Sequence, residues 1–229
     1  MPSGSLVLNG QVGLTSSRQM LAGAGKSFVV TNPTPGTAIA FANNTSYSAT
    51  ANGLWCIANN NPSGGASIHV DRLKLIQTAT APANGLVTRA EVVLETGIVT
   101  LTGNVATRTP VNLNQAYSNS VQCTVQTFAA GAATVPGAVG TRRIVGVGSL
   151  ASGVDVRYSS MCFEFGADGP AFGKVGLTAA HATDPQDVVC WMPPVIIAPQ
   201  SSAWMNLWGL TPDTNVPSYE FCLLFSELA

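Results

Sequence analysis

Trp191-Met-Pro-Pro-Val-Ile-Ile-Ala-Pro-Gln-Ser-Ser-Ala-Trp-Met-Asn-Leu-Trp-Gly-Leu210, then Tyr219-Glu-Phe-Cys-Leu-Leu-Phe-Ser-Glu-Leu228 after a Thr/Pro/Asp/Asn turn, is the stretch that decides the fold. Pro193, Pro194 and Pro199 remove backbone donors and fix φ, so no helix runs through the first part. Beyond them Trp204, Asn206 and Trp208 alternate with Met205 and Leu207, the period of a strand with apolar groups on both faces. Tyr219, Phe221, Leu223 and Phe225 repeat that period. The spacing predicts two strands, the second completing a sheet, because so apolar a segment is not left in water.

The same reading extends backwards along the chain. Strands are expected at Lys26–Thr31, Thr37–Ala42, Gly53–Ala58, Ala66–Thr78, Leu86–Thr96, Val111–Leu113, Val121–Phe128, Arg142–Leu150 and Asp155–Phe165, separated by Gly/Pro/Asn clusters. In Ala66–Thr78 the apolar phase slips at Asp71-Arg72, which predicts a β-bulge. In Leu86–Thr96, Arg89, Glu91 and Glu95 fall opposite Ala90, Val92 and Leu94, which predicts a half-exposed strand. The Gly/Ala-rich runs 129–140 and 166–186 read as long loops inside one domain. No helix of any length is expected. About ten short strands without helices predict an all-β protein, an antiparallel β-sandwich of jelly-roll type: residues 26–229 as one domain and residues 1–25 as an N-terminal arm or entry strand.

The composition narrows the function. Of 229 residues only 9% are charged and the net charge is −1, against roughly 25% charged in ordinary soluble domains. The basic residues are scattered, so no footprint for nucleic acid is expected. No apolar run reaches the ~18–20 residues of a membrane-spanning helix, and Met1–Gly10 has neither the basic start nor the apolar core of a secretory signal. The five cysteines, Cys56, Cys123, Cys162, Cys190 and Cys222, each sit in an apolar run with no C-x-x-C pair, which predicts small buried thiols and synthesis in a reducing cytoplasm.

Chemistry-bearing motifs are sparse. Leu21-Ala-Gly-Ala-Gly-Lys-Ser27 imitates a phosphate-binding loop, but Met20 stands where that loop needs glycine, and Phe28-Val-Val continues as a strand. His69 and His181 are the only histidines; His69 shares a strand face with Asp71, read as a surface polar pair. Asn43 and Asn44 begin N-x-[ST] matches, read as turn residues. No nucleophile elbow occurs, and no cofactor is expected. Arg142-Arg143, the one adjacent basic pair, is either a solvated strand end or an anchor for an acidic partner.

Thr109-Pro-Val-Asn-Leu-Asn114, Arg142-Arg-Ile144, Pro193-Pro-Val-Ile-Ile-Ala-Pro199, Leu207-Trp208 and Pro217-Ser-Tyr-Glu220 resemble a group of small virion structural proteins of tailed bacteriophages. The resemblance implies a capsid cement or decoration protein, a homotrimer on the major capsid protein, made in the host cytoplasm and resident in the virion, with no catalytic residues. The chain departs from that pattern at Phe225–Ala229. Arg142, Arg143, Trp204 and Trp208 are the expected partner-binding residues, with Trp191, Trp204 and Trp208 as core or trimer-interface anchors. The rival readings are a carbohydrate- or receptor-binding module with Trp55, Trp204 or Trp208 exposed in a row, a glycoside-active enzyme with two facing carboxylates, and the main shell subunit itself.

Overall fold

A computed structural model describes residues 5–8, 11–14, 17–37, 39–40, 53–79, 87–134, 142–151, 160–166, 172–175, 187–209 and 218–229. The N-x-[ST] loop at Asn43 and Asn44, His181 and the turn 210–217 lie outside the described residues. In chain order the elements are β1 (Ser5–Leu8), β2 (Gln11–Leu14), α1 (Ser17–Gly23), β3 (Ser27–Thr31), β4 (Ile39–Ala40), β5 (Gly53–Asn59), β6 (Ser67–Ala79), β7 (Val87–Thr96) and β8 (Thr102–Arg108). They continue as β9 (Val111–Asn112), β10 (Cys123–Thr134), β11 (Arg142–Ala151), β12 (Ser160–Phe165), β13 (Phe172–Val175), β14 (Asp187–Met192), β15 (Val195–Ile197), β16 (Ser201–Gly209) and β17 (Ser218–Leu228).

The protein is all-β, and its strands form a six-stranded sheet in the order β11-β7-β16-β5-β10-β8, a nine-stranded sheet in the order β13-β14-β12-β6-β17-β3-β9 with β15 and β4 attached, and the hairpin β1-β2. The final strand is central: β17 lies between β6 and β3 and pairs antiparallel with both. Residues 1–25 are expected to be an arm or an entry strand. They hold the β1-β2 hairpin and the seven-residue α1, the one helix among the described residues. One pairing departs from the antiparallel rule, because β13 is laid one place outward and β14 returns into the vacant slot, parallel to β12. The Gly/Ala-rich run 129–140 is shorter as a loop than its composition suggests, since β10 continues to Thr134. Within 166–186, β13 is likewise strand.

Both sheets contribute to one core. Leu54, Trp55, Ile57, Val92, Val125, Phe128, Met205 and Leu207 of the six-stranded sheet join Phe28, Val30, Leu73, Leu75, Phe163, Phe221, Leu223 and Phe225 of the other in a single buried cluster. Phe28 stacks on Phe225 at 5.7 Å between ring centroids, and Trp55 meets Phe165 edge-on at 6.2 Å. The first contact is between neighbouring strands of one sheet and the second crosses between the sheets, and both bury large side chains whose loss costs several kcal/mol each. On β11 the positions opposite Val92 and Ala90 are Gly146 and Gly148, and β11 approaches β14 of the other sheet.

The six-stranded sheet is covered on its outer face as well. Strand β7 must cross β16, β5 and β10 to reach β8 at the far edge, and residues 97–101 make that crossing as a strap. Ser202 pins it by accepting from Val99 N–H at 2.8 Å and donating to the Gly97 carbonyl at 2.9 Å, and Leu101 N–H donates to Gln126 Oε1 at 2.7 Å. Beneath it Val99 and Leu101 join Cys56, Val93, Ala133 and Trp204 in a second apolar cluster. The expectation of a half-exposed β7 is therefore corrected. Glu91 and Glu95 are 3% and 2% exposed, because the face they occupy is a second interior, where Asn206 Nδ2 donates to Glu91 Oε2 at 3.1 Å.

Candidate functional site

A cluster of charged and polar side chains lies at the predicted bulge on β6. Leu224 pairs with Arg72 and Phe225 with Val70, so Asp71 is the extra residue of its strand. Freed from the ladder, its carboxylate accepts from Ser226 Oγ at 2.6 Å, while Ser27 Oγ lies 3.4 Å from Ser226 Oγ. The α1 helix sends Arg18 across this face. Its Nη2 donates to Glu164 Oε2 at 3.0 Å and to the Asp71 carbonyl at 3.4 Å. Arg72 Nε forms an ion pair with the other oxygen of Glu164, to which the Cys162 thiol also donates at 3.5 Å. One carboxylate on β12 thus ties together α1, β6 and β12.

The electrostatics follow from this enclosure. Burial pushes the Asp71 carboxyl above its usual range, against the pull of the Ser226 hydrogen bond, Arg18 and His69, with Glu164 adding to the rise. Burial lowers the neighbouring His69, with Asp71 opposing. The Cys162 thiol is pushed up to about 12 by burial first and then by Glu164, so it is a poor nucleophile. Ser226, Asp71 and His69 are the residue types of a hydrolase, but the arrangement is not one. Ser226 is 1% exposed and donates its hydroxyl to the carboxylate, which makes it a strut.

Two predictions arise here. Replacing Glu164 with Gln leaves two half-exposed guanidinium groups without their shared anion, so α1 loosens while the sheets stay folded. Trypsin is expected to cut after Arg18 several times faster, with a stability loss of about 1 kcal/mol or less by urea denaturation. The second concerns pH. With its folded pKa raised above the unfolded 3.8, Asp71 contributes stability that is full below 3.8 and is lost as pH rises through the folded value. His69, lowered from 6.5, works in the opposite sense, its contribution growing as pH rises from its folded value to 6.5. In urea midpoints measured from pH 3.5 to 7, Asp71→Asn is expected to abolish the falling component and His69→Gln the rising one.

A second knot joins the two sheets where β5 ends, near the start of β6. Asn59, fully buried, donates from Nδ2 to the Ala66 carbonyl at 2.9 Å and the Ile197 carbonyl at 3.0 Å, and its Oδ1 accepts from Asn61 N–H at 3.1 Å and Asn61 Nδ2 at 3.0 Å. Asn61 reaches on to Glu227 Oε1 at 3.0 Å. Gln200 holds a left-handed φ of 59° because its backbone N–H donates to the Asn59 carbonyl at 2.9 Å and its Nε2 to the Asn61 carbonyl at 2.7 Å.

A third feature is a corner where α1 enters β3. Asn112 Nδ2 donates to the Gly25 carbonyl at 2.9 Å, Asn114 Nδ2 to the Gly23 carbonyl at 3.0 Å, and Leu113 N–H to the Ser27 carbonyl at 3.0 Å. The Tyr117 ring lies on Gly25, where an added Cβ would stand 2.3 Å from its Cγ and where φ is +67°. This scaffold presents Val111, Leu113 and Tyr117 to solvent at 50%, 46% and 51% exposure. The glycine-lysine-serine sequence at this corner follows α1 and opens β3, so no helix N-terminus stands there to hold a phosphate.

The residues expected to meet a partner are dispersed. Trp204 is 1% exposed in the second cluster, and Trp55 is equally buried with its indole N–H donated to Met205 Sδ at 3.2 Å, so neither stacks on a sugar ring. Arg142 and Arg143 open β11, opposite Glu95 and Leu94, while Trp191 and Trp208 lie on β14 and β16. For these four the structure describes the backbone alone. A groove of about 160 Å³ between Leu94, Thr96, Ile196 and Ser201 is smaller than the roughly 300–1,000 Å³ of a drug-sized ligand site. Among the described residues no three His, Cys, Asp or Glu converge, and no helix is long and apolar enough to cross a membrane. Arg18, Glu164, Ser226 and Asn59 gave no signal in the sequence, because each acts through a partner more than 100 residues away. No protein-family model, curated protein or solved structure matches the chain.

Proposed function

We propose that this chain is a structural protein of a virus particle, a cement or decoration protein that binds the major capsid protein of a tailed phage through a jelly-roll-like sandwich and its N-terminal segment. The observation that carries the reading is the Gly25 corner: three large apolar side chains held in water on a rigid hydrogen-bonded frame, in a chain with little charge. Isolated apolar residues are ordinary on a surface, but Val111, Leu113 and Tyr117 lie within seven consecutive residues. Elsewhere four carboxylates serve internal braces: Asp71, Glu91, Glu164 and Glu227 each bind a partner within the chain. Repetition by shell symmetry lets many such small contacts hold a particle together.

The test is to mix the purified chain with undecorated shells and count copies after sedimentation. Stoichiometric retention is expected, and Leu113→Asp with Tyr117→Asp should abolish it while leaving the urea midpoint within about 1 kcal/mol of wild type. Absence of the chain from purified virions by mass spectrometry would end the reading. Copy number equal to the shell lattice, with no other shell protein, would favour the main-subunit alternative. The burial of Trp55 and Trp204 weighs against a carbohydrate-binding module.

A further inference from the structure

We infer that the edge of β11 that has no partner among the described residues pairs antiparallel with β11 of a second copy of this chain, joining two six-stranded sheets about a two-fold axis. An edge strand carries a row of backbone N–H and C=O groups with no ladder partner, and proteins keep such edges short, bulged or charged. Of the four terminal strands of the two large sheets, among the described residues, three follow that practice. Strand β9 has two residues, β13 has four, and β8 has seven with Gly103 at φ +77°. Strand β11 has ten and, among the described residues, pairs with β7 alone. Its protection is confined to one end, where Arg142 and Arg143 precede a bulge at Val145, the residue skipped between the pairs Ile144–Val93 and Gly146–Val92.

Beyond the bulge, Gly146-Val-Gly-Ser-Leu-Ala151 runs in regular register with no charge and no proline. A second copy is the occupant that this run fits. Antiparallel pairing of Gly146–Ala151 with itself sets Gly146 opposite Ala151, Val147 opposite Leu150 and Gly148 opposite Ser149, so uncharged residues meet throughout and two of the three pairs are small. It also sends the two Arg142-Arg143 pairs to opposite ends of the joint, where like charges do not face one another. The β1-β2 hairpin, with four residues a strand, is too short to cover the same length. The pairing goes beyond the virion reading and stands without it.

The experiment is light scattering combined with hydrogen exchange on the full chain over a hundredfold range of concentration. A mass of 47 kDa, twice the 23.5 kDa chain, is expected at high concentration. In the same change about half of the amides of 146–151, fast at high dilution, should become slow. Val147→Lys, whose register partner on β7 is Glu91, should return the mass to that of one chain. A chain that stays single throughout, a three-copy assembly, or a pair in which 146–151 exchange does not change would overturn the pairing. A two-copy protein absent from virions would remove the virion function and leave the pairing; a single-copy protein found in virions would do the reverse.

Discussion

A chain ending at Pro217 does not fold. Strand β17 contributes eleven residues and pairs along its length with β6 on one side and with β3 and β4 on the other. Without it the nine-stranded sheet separates into two pieces, and Tyr219, Phe221, Leu223 and Phe225 leave the core, each at most 3% exposed in the intact protein. Phe225→Ala alone, which removes the ring stacked on Phe28, is expected to cost about 3–5 kcal/mol, a large share of the roughly 5–15 kcal/mol that holds a domain together. Removing all four side chains and two ladders exceeds that margin. Circular dichroism and urea titration should show a cooperative transition shifted to lower urea for Phe225→Ala and none for the truncated chain. A cooperative transition in the truncated chain would overturn the central role given to β17.

The second large effect belongs to Asn59. Its amide donates to the Ala66 and Ile197 carbonyls, and its oxygen collects two donors from Asn61. Asn59→Ala removes all four of these hydrogen bonds, with Asn61 Nδ2 keeping only Glu227, so a loss of about 3–5 kcal/mol is expected. Asn59→Asp should be worse at neutral pH, since it turns a carboxylate oxygen toward two carbonyls that need a donor. Its deficit should shrink as pH falls and the acid gains a proton to donate. Urea midpoints at pH 7 and pH 4 test both statements. A loss below about 1 kcal/mol for Asn59→Ala would show that water fills the role.

Strands such as β5, β6, β16 and β17 were legible in the sequence because each carries its own period, whereas β8, β13, β14 and β15 were not legible as strands. Trp204 and Met205 part to opposite faces as their alternation requires, the first into the outer cluster and the second into the shared core. The slip at Asp71 was legible for the same reason, since a bulge disturbs the local phase. What alternation cannot report is what lies on the far side of a sheet. Glu91 and Glu95 read as solvent-facing because charge usually marks that face; the strap that buries it comes from the connection between β7 and β8, and its course depends on strand order. The slot taken by β14 was hidden for the same cause. Of the site, the sequence located Asp71 and His69 but not Arg18 or Glu164, whose meeting is a property of the folded chain.

The strap of residues 97–101 divides the surface by kind of consequence. Substitutions at Val93, Val99 or Trp204 reach water only by unfolding something, so in a randomised library they register as poor expression and are silent in any screen for recognition. Variants that alter recognition without lowering yield are expected instead on the outward side of the other sheet, at its Val111–Tyr117 corner and along the β11 rim. A map of such variants would draw the outline of whatever this protein touches before any partner had been identified.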